Sequence, residues 1–125
     1  MINRVNQVIL PVSDQSAAKE FWTTLIGLQL VDDQTFGDER WIEVRPPDQE
    51  LRLVLSLRLP GEVRRAVPDK LPHSDIFFTC SNIDETYAEL SSRGVRFPTP
   101  PSQQHWGWWA MFEDNEATRY ALGQS

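Results

Sequence analysis

Apolar positions run almost unbroken near the start of the chain. Val5, Val8, Ile9, Leu10 and Val12 predict a strand over residues 5–12, with Gln7 set among them. The period then changes. Ala17, Ala18, Phe21, Trp22, Leu25 and Ile26 form an i, i+4 stripe, which predicts a helix capped by Ser13 or Asp14 and closed by Gly27. Three strands follow, near 28–35, 39–45 and 50–59. In the last, Leu51, Leu53, Leu55, Leu57 and Leu59 alternate with Arg52, Val54, Ser56 and Arg58, so one face is core and the other mixed.

Residues 60–71, with Pro60, Gly61 and Pro68, read as a linker loop. The order of elements then recurs. Ile76 to Cys80 predicts a strand, and Ser81 or Asn82 caps a helix through Ile83, Tyr87, Ala88 and Leu90 that Gly94 stops. Further strands start at Val95–Phe97 and cover 106–113 and 118–122. An offset of 67 places Arg119 on Arg52, Ala121 on Val54, Trp108 on Trp41 and Gly94 on Gly27. One residue of slack in the first helix makes the offset 68 and places Asp75 on Gln7. Each half is therefore strand–helix–strand–strand–strand, about 1–59 and about 72–123, within a single domain spanning 1–125. The expectation is an α+β fold in which two βαβββ modules pair into a curved mixed sheet, a cup with its helices outside.

Composition narrows the chemistry. A net charge of −6 disfavours nucleic acid, whose phosphates would be repelled. No run approaches the roughly 18 apolar residues of a membrane helix. The lone Cys80 cannot form an internal disulfide, and no export signal opens the chain, so a cytoplasmic location is expected. No nucleophile motif and no phosphate-binding glycine loop is present. Five tryptophans are many for 125 residues. Trp22 lies on the helix stripe and reads as core. Trp41 and Trp108 share strand parity with Arg52 and Arg119 if the hairpins are tight, which places two indoles and two guanidiniums around a cleft. They could equally serve sheet packing. The arginines either grip an anionic group on a ligand or pair with Glu43 and Asp75. The parity of Trp106 and Trp109 depends on where their strand bends, and His105 reads as a loop residue.

The stretches VNQVILPVSD, AAKEFW with its following LIGL, DIFFTCSNIDETYAELSSRGVRF and WGWWAMFEDNEATRYAL together resemble the vicinal oxygen chelate superfamily. This is the family of glyoxalase I, bleomycin-resistance proteins and extradiol dioxygenases. The resemblance covers nearly the whole chain and implies the paired βαβββ fold read from the repeat. It also implies four inward positions, here Gln7, Val54 (or Ser56 under a register slip of two), Asp75 and Ala121. In metal-using members these positions carry the ligands. A divalent cation needs three or four N or O donors. Here two corners are hydrocarbon, and only Gln7, Asp75 or a slipped His73 could donate, so no metal cofactor is favoured. Where the family has glycine in its closing turn, DNEAT has Ala117, which must avoid a left-handed backbone or bear its cost.

The implied function is binding of a small molecule, with a homodimer expected. The cleft candidates are Gln7, Trp41, Arg52, Val54, Asp75, Trp106, Trp108, Arg119 and Ala121. Two other functions are open. One is a lyase, isomerase or dioxygenase whose divalent metal polarises paired substrate oxygens. The other is a protein-interaction module.

Overall fold

The computed structural model describes residues 1–125. Contacts divide the chain into two units, Met1–Glu62 and Val63–Ser125. Each has the βαβββ order that the sequence repeat predicts.

In the first unit, β1 is Gln7–Val12, α1 is Gln15–Glu20, β2 is Gln29–Phe36, β3 is Glu39–Arg45 and β4 is Arg52–Leu57. The sheet order is β1-β4-β3-β2, and only the β1–β4 pair is parallel. Asp14 is the helix cap, its carboxylate accepting from the Ala17 N–H at 2.9 Å. The predicted helix does not stay regular to Ile26. Residues Phe21–Leu25 widen into a π turn, with the Ile26 N–H bonded to the Phe21 carbonyl five residues back. The Thr23 hydroxyl donates to the Lys19 carbonyl at 2.7 Å, a local competitor that bends helices. Gly27 ends the segment at φ 89°, where a Cβ would be strained.

The helix seals one sheet face. Leu10, Val12, Ile42, Val44, Leu53 and Leu55 are buried with Ala18, Phe21 and Trp22. Each large apolar side chain so buried contributes about 1.5–3 kcal/mol. Gln15 stitches the layers by donating to the Arg40 and Leu55 carbonyls at 2.8 and 2.9 Å. Asp33 binds Arg40 through both carboxylate oxygens and Lys19 at 2.8 Å, and these cations hold its carboxyl well below the usual carboxylate range. The leucine row is shorter than its alternation suggests. Leu57 and Leu59 are exposed, because β1 ends at Val12 and the chain passes into the helix cap.

In the second unit, β5 is Phe77–Cys80, α2 is Ile83–Ser92, β6 is Arg96–Gln104, β7 is Gly107–Glu113 and β8 is Arg119–Gln124. The order β5-β8-β7-β6 repeats that of the first sheet, with β5–β8 parallel. Asn82 caps α2 by accepting from the Glu85 N–H at 3.1 Å, and Asp84 and Glu85 sit at the positive end of the helix. The core here is aromatic: Phe112 stacks on Tyr120 at 5.5 Å, and Phe78 and Phe97 lean on Phe112 at 5.8 and 6.1 Å.

Strand β6 continues through Pro98, Pro100 and Pro101 to Gln104, where the sequence marks only its start at 95–97. It is an edge strand, and its register slips on either side of Thr99, so the missing N–H groups are tolerated. The chain segment before β5 is held by three arginines. Arg64 donates to the Glu116 carbonyl at 2.7 Å, Arg65 to the His73 carbonyl at 3.0 Å and Arg119 to the Leu71 and Pro68 carbonyls at 3.1 Å.

The DNEAT turn bears the cost of its missing glycine: Ala117 stands at φ 62°. Asp114 holds it there. Its buried carboxylate accepts from the Glu116 and Thr118 N–H groups at 2.9 Å and from the Tyr120 hydroxyl at 3.0 Å, while burial pushes its carboxyl up. Removing the Cβ relieves left-handed strain but gives the unfolded chain more freedom. Ala117→Gly is therefore expected to stabilise the protein by about 0.5–1 kcal/mol in urea unfolding, with an unchanged m-value.

Candidate functional site

A β-strand sends alternate side chains to opposite faces. With one face of each sheet packed on its helix, the chemistry available to a ligand lies on the other.

On the open face of the first sheet, register pairs Gln7 with Arg52 and Ile9 with Val54, while β3 brings Glu43 opposite Val54. Val54 is fully buried. Glu43 is a buried carboxylate: one oxygen accepts from Trp41 Nε1 at 3.0 Å, and the other lies 3.0 Å from Arg52 Nη1 as an ion pair. The latter contact lacks hydrogen-bond alignment and leaves Oε1 without a donor. Three predicted cleft residues, Trp41, Arg52 and Val54, are thus brought together around Glu43, and Gln7 lies beside them. Of the two partnerships open to Arg52, the one formed is with Glu43.

Arg119 behaves differently. It does not reach Asp75; its guanidinium is used on the Leu71 and Pro68 carbonyls. Asp75 lies before β5 with an 88% exposed side chain, paired to Arg65 at 3.0 Å. The expected Arg119–Asp75 pair is therefore replaced by two separate contacts, since backbone carbonyls reach Arg119 first. His73 accepts the Arg119 backbone N–H on Nδ1 at 2.9 Å.

The second sheet carries an open cleft of about 290 Å³ lined by Phe77, Thr79, Trp106, Trp109, Ala121 and Gly123, together with Phe78, Gly107, Trp108 and Gln124. Trp109 meets Phe77 edge-on at 6.0 Å and Trp106 at 6.3 Å. Phe77 and Trp106 are largely exposed. The floor is small: Ala121 sits beside Phe77, and Gly123 beside Thr79. Gly107, at φ 126°, closes the hairpin that projects Trp106.

The register corrects the equivalence of the tryptophans. Glu43 pairs with Val54 in the first sheet, and Met111 pairs with Ala121 in the second. The β3–β7 offset is therefore 68, and Trp41 corresponds to Trp109. Trp109 shares its face with Ala121 and Gly123. Trp108 alternates to the face of Ala110 and Leu122, and its carbonyl oxygen lies beside Gly123 at the cleft. The hairpin lengths differ by one residue, which parity counted along the chain cannot register. Trp109 was missed for this reason, and Phe77, Thr79 and Gly123 were missed as well. The signal for Phe77 was present, since it alternates with the helix-facing Ile76 and Phe78.

Val54 and Ala121 offer hydrocarbon, and Asp75 is turned to Arg65. His73 Nδ1 is occupied by Arg119. No group of three or more His, Cys, Asp or Glu side chains is arranged to hold a metal.

A model of the glyoxalase/bleomycin resistance protein/dioxygenase superfamily matches residues 4–117. The chain belongs to this superfamily. It is 32% identical to the protein YetH of Bacillus subtilis (strain 168), over 98% of both chains. Among solved structures it is similar to TnmS3, an antibiotic binding protein from Streptomyces sp. CB03234. There the identity is 32% and the TM-score 0.81, with 98% of this chain and 96% of that one covered. A superfamily member from Sphaerobacter thermophilus DSM 20745 is 28% identical with a TM-score of 0.82, covering 99% of this chain and 98% of that one. No helix is long and apolar enough to cross a membrane.

The His73 contact sets a pH dependence. Burial, then the Arg119, Arg64 and Arg65 charges, lower the imidazole pKa from its ordinary 6.5. The fold then binds the neutral ring, so its contribution is present above about pH 6.5 and lost as pH falls through the lowered value. Melting curves between pH 7.5 and 5 are expected to fall more steeply for the native protein than for His73→Asn, whose carbonyl can still accept the Arg119 N–H.

Proposed function

We propose that this protein binds a planar, largely apolar aromatic molecule of antibiotic type in the cleft of the second unit, and acts by sequestering it without a complete metal site. The observation that carries this reading is the cleft itself: Phe77, Trp106 and Trp109 stand over a floor of Ala121 and Gly123. Exposed aromatic side chains around a small-residue floor bury a flat ligand on both faces. The volume is at the lower end of the roughly 300–1,000 Å³ common for small-molecule sites, which suits a few fused rings. No charged side chain lines it, so shape and apolar contact would carry affinity. The likeness to TnmS3 supports a ligand of the same broad kind. A homodimer and a cytoplasmic location belong to the same proposal, and sedimentation and cell fractionation test them.

Gly123 provides a variant that alters the cleft with little effect on the fold. A Cβ there meets Trp108 O at 3.5 Å and Thr79 Cγ2 at 3.9 Å, ordinary contacts, and the backbone is not left-handed. Tryptophan fluorescence and melting temperature would be followed against a panel of planar aromatic antibiotics. At a hundredfold excess over Kd, a true ligand adds about 2.7 kcal/mol of stability and raises the melting temperature by several degrees. Gly123→Leu is expected to keep the melting temperature of the free protein and lose that shift. A panel without quenching or shift, or a Gly123→Leu protein that still binds, would overturn the reading.

A further inference from the structure

The two repeat-equivalent arginines are used differently. Arg119 donates to two loop carbonyls. The Arg52 guanidinium donates no hydrogen bond inside the chain: its one contact is the ion pair with Glu43, and 29% of the side chain is exposed. Glu43 is buried beside it and is itself held by Trp41 Nε1. A guanidinium anchored from behind by a fixed carboxylate loses little rotamer freedom when its outer N–H groups engage a ligand.

Gln7 stands beside Arg52 on the neighbouring strand at the same register position. Its side chain is half-buried and has no partner within the chain. Adjacent strands are about 4.8 Å apart, so the two donors can address one acceptor. The next residue on this face of β1, Ile9, is 53% exposed and offers an apolar shoulder.

From this arrangement we infer that the open face of the first sheet is a binding subsite for an uncharged carbonyl oxygen on an apolar frame, with Arg52 and Gln7 as donors. Glu43 and Trp41 are positioning residues. The neutral preference follows from charge. Glu43 already balances Arg52, so a ligand carboxylate would approach a second, buried carboxylate on a chain of net charge −6. A ligand cation would have to displace Arg52 to reach Glu43. The inference stands apart from the aromatic cleft and does not depend on it.

The test uses the full chain labelled with ¹⁵N and three probes of one shape: benzamide, benzoate and benzylamine. The Arg52 Nε–H, Gln7 amide and Trp41 Nε1–H resonances are followed, each assigned by its loss on substitution. Benzamide is expected to move all three saturably, and benzoate to bind about threefold or more weakly, with benzylamine leaving them in place. Arg52→Lys keeps the charge opposite Glu43 but loses the planar fork, and is expected to weaken benzamide about fivefold or more. Gln7→Leu, which leaves the ion pair intact, is expected to weaken it about threefold and covers the case in which Arg52→Lys does not fold. Absence of a saturable shift overturns the inference. So does benzoate binding more tightly than benzamide, benzylamine moving the same resonances, or unchanged affinity in a folded variant.

Discussion

Each half of this chain rests on one parallel strand pair. The first strand of the module runs into a helix, and the last strand returns beside it: Ile9 against Val54, and Phe77 against Ala121. This non-local contact fixes which side chains face the helix and which face away, because a slip of one residue would exchange the two sets. Burying Leu10, Val12, Leu53 and Leu55 against Phe21 and Trp22 is what makes such a slip costly. The open face inherits its composition as a consequence.

Once the register is set, the two halves diverge on that face. In the first, a glutamate on β3 recruits an indole and a guanidinium into a polar cluster. In the second, methionine takes the place of that glutamate and alanine that of the valine, and the indole turns to other aromatic rings. A buried carboxylate requires partners, whereas an apolar floor requires none. The duplicated scaffold therefore presents one polar face and one aromatic face from the same strand order. The corner positions at which metal-using relatives are expected to place ligands contribute hydrocarbon at Val54 and Ala121.

Much of this was legible in the residues. Caps, the helix stripe, the duplicated element order and the family resemblance are all carried by local patterns, and family membership follows from a match over residues 4–117. Val54 and Ala121 could be placed on the open face by parity alone. Parity failed at W-G-W-W, where the hairpin of the second unit is one residue out of step with that of the first, so Trp109 took the place expected for Trp108. It also gave no warning that three prolines would lie within an edge strand.

By itself, the sequence determined the order of elements, the two-fold repetition, the superfamily and the hydrocarbon at two corners, because propensity and periodicity act over a few neighbouring residues. Only the tertiary structure decided which tryptophan joins the cleft, that the Arg52 guanidinium keeps only its Glu43 ion pair while that of Arg119 donates to loop carbonyls, and that Asp75 turns to Arg65. Those outcomes depend on hairpin register and on competition among distant partners for the same donor. Residues far apart in the chain settle such contests only once the sheet has formed.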